Sequence, residues 1–309
     1  MARQGYRVWI ARLAIAGFVV ALAGGLTIRW FRLQMDTPPN TVDQSSGLDV
    51  PFPLDREKPG SDAVHELDPV LTLAKSALAN HRMHHRDYTA ELVKRERIHG
   101  KLLPPTRMSL KLMYRQATPE DSVGRPVCVY LKTLEPKAQS GREVIWSQGR
   151  NNNKLAAHEG GLLGMIAVEM APLSKMAMRD NRYPITEIGI EKLLLKLIEK
   201  GERDRLLGPA IVKVSEGVLF GELSCSLLEI IHESPTALVD GKEVEYEFYL
   251  AQIHMDTERQ IPLRYASYLW PKSAGGTPEL EEEYFYEKLT LNVGLTEADF
   301  DPKNPAYGF

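Results

Sequence analysis

The chain has 309 residues, 43% hydrophobic and 26% charged, with a formal net charge of −3. That is enough apolar material for a sizeable core, and it excludes a disordered or collagen-like chain. It carries no basic excess, which argues against nucleic acid as a partner, because neutralising phosphates takes clustered Lys and Arg.

The N-terminus carries a strong local signal. Arg3, Arg7 and Arg12 precede LAIAGFVVALAGGLTI, sixteen residues (13–28) without a charge. Spanning a membrane takes roughly 20 apolar residues and a signal-peptide core takes about 7–15, so the stretch falls between the two. Ala21-Leu22-Ala23 fits a cleavage site for a signal peptide. Trp30 and Phe31, beside Arg29 and Arg32, instead resemble the interfacial belt of an uncleaved anchor. Both readings of residues 1–32 place the protein in the cell envelope. It is either anchored in the inner membrane with its domain on the periplasmic side, or exported after cleavage. Residues 33–65 follow with five Pro and few large apolar side chains. They read as a flexible spacer that cannot bury enough surface to offset chain entropy.

A folded domain is expected over residues 66–309. Asp68-Pro69 suits a helix start, and Val70, Leu73, Ala74, Ala77, Leu78 and His81 recur at helical spacing to about His85. The period then changes to two. DYTAELVKRERIHGKLLPPTRMSLKLMYR reads as two long strands about a turn near Gly100, followed by PVCVYLKT, REVIWSQ and KLAAHE. In REVIWSQ, Val144 and Trp146 share one face, and GRNNN is turn chemistry rather than a phosphate loop, since no helix follows the glycines. A second helix is signalled at Thr186, with an apolar stripe of Ile190, Leu193, Leu194, Leu197 and Ile198. Strands return in AIVKVSEGVLFGELSCSLLEIIHE, EVEYEFYLAQIHMD, IPLRYASYLW and EEEYFYEKLTLNV. Successive hairpins with two helices imply an α+β domain: a curved antiparallel sheet, an open half-barrel, wrapped around helices. Such a sheet commonly leaves an apolar groove.

Few constellations point to catalysis. His81 and His85 share a helix face in HRMHHRD, but HExxH is absent and no third ligand stands near, so the cluster reads as a solvated helix end. The charged run of residues 88–102 reads as a solvated edge strand. The carboxylate pairs Glu245 with Glu247 and Glu281 with Glu283 could serve glycoside hydrolysis, yet strand alternation also gathers such residues on a solvent face. No nucleophile elbow, P-loop or dinucleotide fingerprint occurs in the sequence. Cys128 and Cys225 sit in strands and read as small buried hydrophobes or a disulfide pair, and no CxxC spacing suggests a metal. The expectation is a non-enzymatic protein without catalytic residues, metal or cofactor.

DYTAELVKRERIHGKL, REVIWSQGRNNNKLAAH, RYPITEIGI, HMDTERQIPLRYASYLW and YEKLTLNVGLTEADFDP together resemble a bacterial domain-of-unknown-function family. That family looks like the LolA/LolB lipoprotein-carrier superfamily of the cell envelope. The resemblance covers residues 66–309. Its extension to LolA rests on the order of elements, the D-x(5)-P-L-R segment and a closing LN-x-G strand. It implies an open half-barrel around a helical lid, with an apolar cavity for acyl chains. The chain departs from soluble LolA in its spacer and in an insertion around residues 159–210, so a membrane-held lipid receiver or acyl-binding module is what carries over. The expected cavity residues are Leu92, Met108, Leu110, Val129, Leu131, Val144, Trp146 and Leu155, each also suited to plain core. The expected ligand is a lipid, a lipoprotein acyl chain or another hydrophobic molecule. The competing reading is a structural or interaction module whose half-barrel its own side chains fill.

Overall fold

A computed structural model of the chain describes residues 64–119, 125–161 and 166–309. The anchor or signal of residues 1–32, and the spacer as far as residue 63, lie outside the described residues. Helix α1 spans Asp68–His84. It leads into β1 (Asp87–Ile98), β2 (Lys101–Leu102), β3 (Thr106–Tyr114), β4 (Val127–Glu135), β5 (Glu143–Ser147), β6 (Leu155–His158) and β7 (Val168–Met170). Helix α2 (Ile190–Leu207) precedes β8 (Ile211–Phe220), β9 (Leu223–Ile231), β10 (Thr236–Val239), β11 (Lys242–Glu245), β12 (Leu250–Asp256), β13 (Pro262–Leu269) and β14 (Glu279–Leu291). The expected α+β architecture is present: one curved, unclosed antiparallel sheet with a few helices. Its order is β7-β6-β5-β4-β3-β1-β14-β13-β12-β9-β8, with β2 on the flank of β1 and β10-β11 a separate hairpin.

The alternation sorts the sheet into two faces. Tyr88, Ala90 and Leu92 of β1, Met108, Leu110 and Leu112 of β3, and Val129 and Leu131 of β4 join Leu67, Leu71, Ile190 and Leu194 in the main core. The residues between them turn the other way. Met113, Cys128, Tyr130 and Ile145 form a second cluster, which Phe300, Tyr307 and Phe309 cover. The two cysteines are therefore free and buried in different clusters. A bulge keeps this order at the β1–β14 seam. The register shifts between Thr89 and Glu91, Lys288 adopts a φ of 51°, and Tyr286 and Leu289 both stay buried.

The helices are seated by close contacts. Gly189 precedes α2 at a φ of 118°, and a Cβ there would lie 2.6 Å from Leu112 Cδ1. Only glycine fits. The Ile190 N–H, one of the helix's otherwise unpaired donors, donates to the Tyr88 hydroxyl at 3.0 Å. The helix starts at Ile190 rather than Thr186, which lies in a 3₁₀ turn over Ile185–Glu187. At the start of α1, Asp68 does not cap the helix from outside. It is the first helical residue, and its carboxylate accepts from His65 N–H at 2.8 Å and pairs with Arg205 of α2 at 2.5 Å.

Two expectations from the sequence are corrected. The charged run of β1 is not an edge strand, because β1 lies between β3 and β14 in mid-sheet. Its inward residues Lys94 and Glu96 are paired and buried or nearly so. The His81–His85 cluster is not a solvated helix end. His81 is 0% exposed, with Nε2 3.3 Å from the Tyr114 hydroxyl and Nδ1 3.1 Å from His85 Nδ1. The last turn of α1 presses onto Tyr88 of the strand that follows it and onto Tyr114 of β3. Glu191 closes this corner by pairing with both Arg82 and Arg125.

Burial, reinforced by His85, Arg125 and Arg82, pushes the His81 pKa down to about 3. The unfolded chain binds this proton near pH 6.5 and the folded chain does not. The stability is therefore complete above pH 6.5 and is lost as pH falls toward 3. The unfolding free energy from urea titrations should fall between pH 7 and pH 4 by an amount on the order of a few kcal/mol, and His81→Gln should flatten that slope. An unchanged slope in the variant would assign the acid loss to other groups.

Candidate functional site

The two helices do not fill the space above the second half of the sheet. A cavity of about 40 Å³ remains between them and β9, β12 and β13. α1 contributes Val70, Leu71, Leu73 and Ala74, preceded by Leu67, and α2 contributes Leu194, Leu197 and Gly201. The sheet supplies Leu228, Ile230, Ala251, Ile253, Met255 and Tyr265, with Phe248 from the strand approach. The wall is almost wholly apolar. Since a water needs roughly 10–15 Å³ and several polar partners, such a space stays dry, and it is smaller than an alkyl chain. Admitting a chain requires the helices to part from the sheet.

Exposed ion pairs tie the two helices to each other, while Lys200 and Asp204 of α2 pair with Glu282 of β14 and with His232 after β9. Lys75 pairs with Glu202 and Arg205 with Asp68 between α1 and α2, all partly or largely exposed. Pairs of this kind contribute about 0.2–1 kcal/mol each. The closest helix contact is at Gly201, where a Cβ would lie 2.8 Å from Leu71 Cδ2.

Lys200, Asp204 and Tyr265 are the cavity's only ionisable lining residues, and they lead into a buried polar row. At its centre is Glu282, 1% exposed. Its carboxylate accepts from Tyr183 and Ser267 at 3.4 Å each and pairs with Arg182 at 3.2 Å and Lys200 at 3.6 Å. Lys200 also pairs with Glu247 at 2.9 Å. Burial works against the Lys200 ammonium, but Tyr265, Glu282, Tyr183 and Glu247 outweigh it and hold its pKa above the ordinary lysine range. Asp204 pairs with buried His232 at 3.1 Å. Tyr284 donates to Glu96 at 2.6 Å, which links the row to Lys94 and Asn181. Burial raises the Tyr265 and Tyr284 pKa values, so both phenols stay protonated. The Tyr265 hydroxyl is buried and has no hydrogen-bond partner.

Leu92, Met108, Leu110, Val129, Leu131, Trp146 and Leu155 are all buried in the main core, with Val144 packed against it. None of these eight lines the cavity. They lie on the first half of the inner face, in the same cluster as Met170, Ala177, Ile185 and Ile188 from the segment leading to α2. The Trp146 indole N–H donates to Asn153 O at 3.3 Å, across the turn whose three asparagines all have positive φ. Three of the four glutamates singled out in the sequence are held by Arg and Lys. Glu247 meets Arg203 and Lys200, Glu281 meets Arg97 and Arg182, and Glu283 meets Arg264, while Glu245 is exposed. The residue between the second pair, Glu282, is the one that turns inward. A period of two connecting it with Tyr284 and Tyr286 was the available signal. Among the described residues no group of His, Cys, Asp and Glu is arranged to hold a metal. No described helix is long and apolar enough to cross a membrane.

A family model described as a protein of unknown function (DUF1571) matches residues 85–309. No curated protein matches the chain. Among solved structures, a DUF1329 family protein from Desulfovibrio piger is similar at 12% identity and a TM-score of 0.37, covering 77% of this chain and 98% of its own. An outer membrane lipoprotein-sorting protein domain from Vibrio parahaemolyticus is similar at 12% identity and a TM-score of 0.33, covering 75% and 95%. A LolA superfamily protein from Nitrosomonas europaea is similar at 9% identity and a TM-score of 0.27, covering 74% and 97%.

Removing one partner from a buried ion network leaves the others uncompensated. Glu282→Leu should therefore cost about 3–5 kcal/mol in urea unfolding. Glu282→Gln, which keeps an acceptor for Tyr183 and Ser267, should cost clearly less. Equal losses in the two variants would mean that the charge itself contributes nothing.

Proposed function

The chain belongs to the DUF1571 family, and from that premise we propose that it is a non-enzymatic protein of the cell envelope that takes a hydrophobic ligand between its helices and its sheet. The observation that carries this reading is the apolar cavity under α1 and α2, whose two helices are joined to each other by exposed ion pairs. The basic, then apolar, N-terminal sequence supports an envelope location with the domain on the far side of the inner membrane. A lipid or a lipoprotein acyl chain is the ligand class that suits an apolar wall with one polar end. The polar row supports binding rather than catalysis, because each of its carboxylates already meets a cation or a hydroxyl.

A second reading, a module whose core is filled by its own side chains, draws on the small size of the cavity and on the packed first half of the sheet. Loading separates the two. Full-length protein should take up the neutral fluorophore N-phenyl-1-naphthylamine. Ala74→Phe, which places a ring in the cavity, should weaken uptake about tenfold or more without changing the circular dichroism, since a filled pocket forfeits the ligand's burial. Absence of uptake by the unaltered protein would favour the filled module.

A further inference from the structure

With the cavity taken as the ligand site, as proposed above, we infer that Gly201 and Leu71 set its selectivity: together they admit an unbranched hydrocarbon chain and turn away a methyl-branched one. Gly201 lies in the interior of α2, where glycine is the poorest helix former after proline. Leu71 faces it from α1, is 5% exposed and belongs to the main core. Both residues line the cavity.

The contact between them is specific. A Cβ on Gly201 would stand 2.8 Å from Leu71 Cδ2 and 3.5 Å from its Cγ, and among the described residues no other group across from it lies within 4 Å. The bare backbone of α2 therefore forms a recess one methyl group deep, and the Cδ2 branch of Leu71 fills it. With its branch seated there, Leu71 is held out of the space between the helices and the sheet. A methyl group at position 201 would evict the branch. Leu71 is almost fully buried, so the empty volume open to it is the cavity of about 40 Å³ on whose wall it already lies. The cavity stays empty because residue 201 has no side chain.

The same recess limits the ligand. A straight chain presents only methylenes to Leu71 and passes beneath it. A branched chain needs space for its methyl groups, and the recess between the helices is taken. The neighbouring walls, Leu194 and Leu197 of α2 and Ile253 and Met255 of β12, carry full-sized side chains. Forcing an extra methyl group into such packing strains its neighbours.

The test uses the full-length chain and two ten-carbon alcohols that differ only in branching, 1-decanol and 3,7-dimethyl-1-octanol, each competing with N-phenyl-1-naphthylamine. Decanol should bind about tenfold more tightly, a difference within what overpacking costs. Leu71→Ala, which empties the recess, should bring the branched alcohol level with decanol. Gly201→Ala should raise the urea midpoint, through better helix propensity and a filled cavity, while weakening decanol about tenfold. Adding Leu71→Ala to Gly201→Ala should restore decanol binding, because the evicted side chain is gone. Equal binding of the two alcohols to the unaltered chain, a preference that survives Leu71→Ala, or decanol binding undiminished in Gly201→Ala would each overturn the assignment while the cavity reading stands. A lowered midpoint with decanol binding that the double variant does not restore would make the contact one of helix packing alone. If neither alcohol nor the fluorophore binds the unaltered chain, the cavity reading falls and this assignment with it.

Discussion

An unclosed antiparallel sheet has an apolar concave face that must be covered, and everything notable in this domain follows from how two helices meet that demand. The cover is tight in one place and loose in another. Where α2 begins, Gly189 lies against Leu112 and the Tyr88 phenol accepts the first helical N–H, so the helix start is fixed to the middle of the sheet. Farther along, α1 and α2 hold each other through Gly201, Leu71 and exposed ion pairs while standing away from β9, β12 and β13.

The polar row is the counterpart of that arrangement. Inward positions of β1, β13 and β14 carry Glu96, Ser267 and Glu282 where the rest of the face carries Leu, Ile and Tyr. A buried carboxylate is tolerable only with its lone pairs satisfied, and Glu282 collects two hydroxyls and two cations. Those partners come from the segment before α2, from α2 itself and from β13. The row therefore fixes the register of elements that are distant in sequence. It also gives an otherwise apolar cavity one end with a defined chemical polarity.

The strand series, its antiparallel pairing and both helices were legible because period two and period 3.6 are local properties of the chain. Val144 and Trp146 fell on the expected face, and the GRNNN turn behaves as turn chemistry requires. The family resemblance read from DYTAELVKRERIHGKL onward is met over residues 85–309. What local pattern does not encode is which elements meet. The polar end of α1 reads as solvated until Tyr88 and Tyr114 arrive from β1 and β3 to bury His81. The charges of β1 suggest an edge until β14, the last strand, pairs beside it. In EEE, alternation tells that one glutamate differs from its neighbours, but not that the odd one is held by Arg182 and Lys200. The cavity was expected over the first hairpins, at residues such as Leu110 and Trp146. It lies over the later strands because the helices sit there, and helix placement depends on long-range packing.

The pairing of β1 with β14 joins the first and last strands of the domain at the centre of the sheet, with Tyr88 opposite Leu291. The sheet thus consists of two sequence-local halves that share no ladder until the final strand arrives. Tyr286 and Tyr284 of that strand also complete the surroundings of Tyr88 and Glu96. During synthesis the two halves can form hairpins, but the core that seats α2 cannot assemble until residues 279–291 have emerged. Contacts of such high sequence separation make closure slow. A chain built this way stays an open string of hairpins through most of its elongation, the state in which a polypeptide can still be threaded through a membrane.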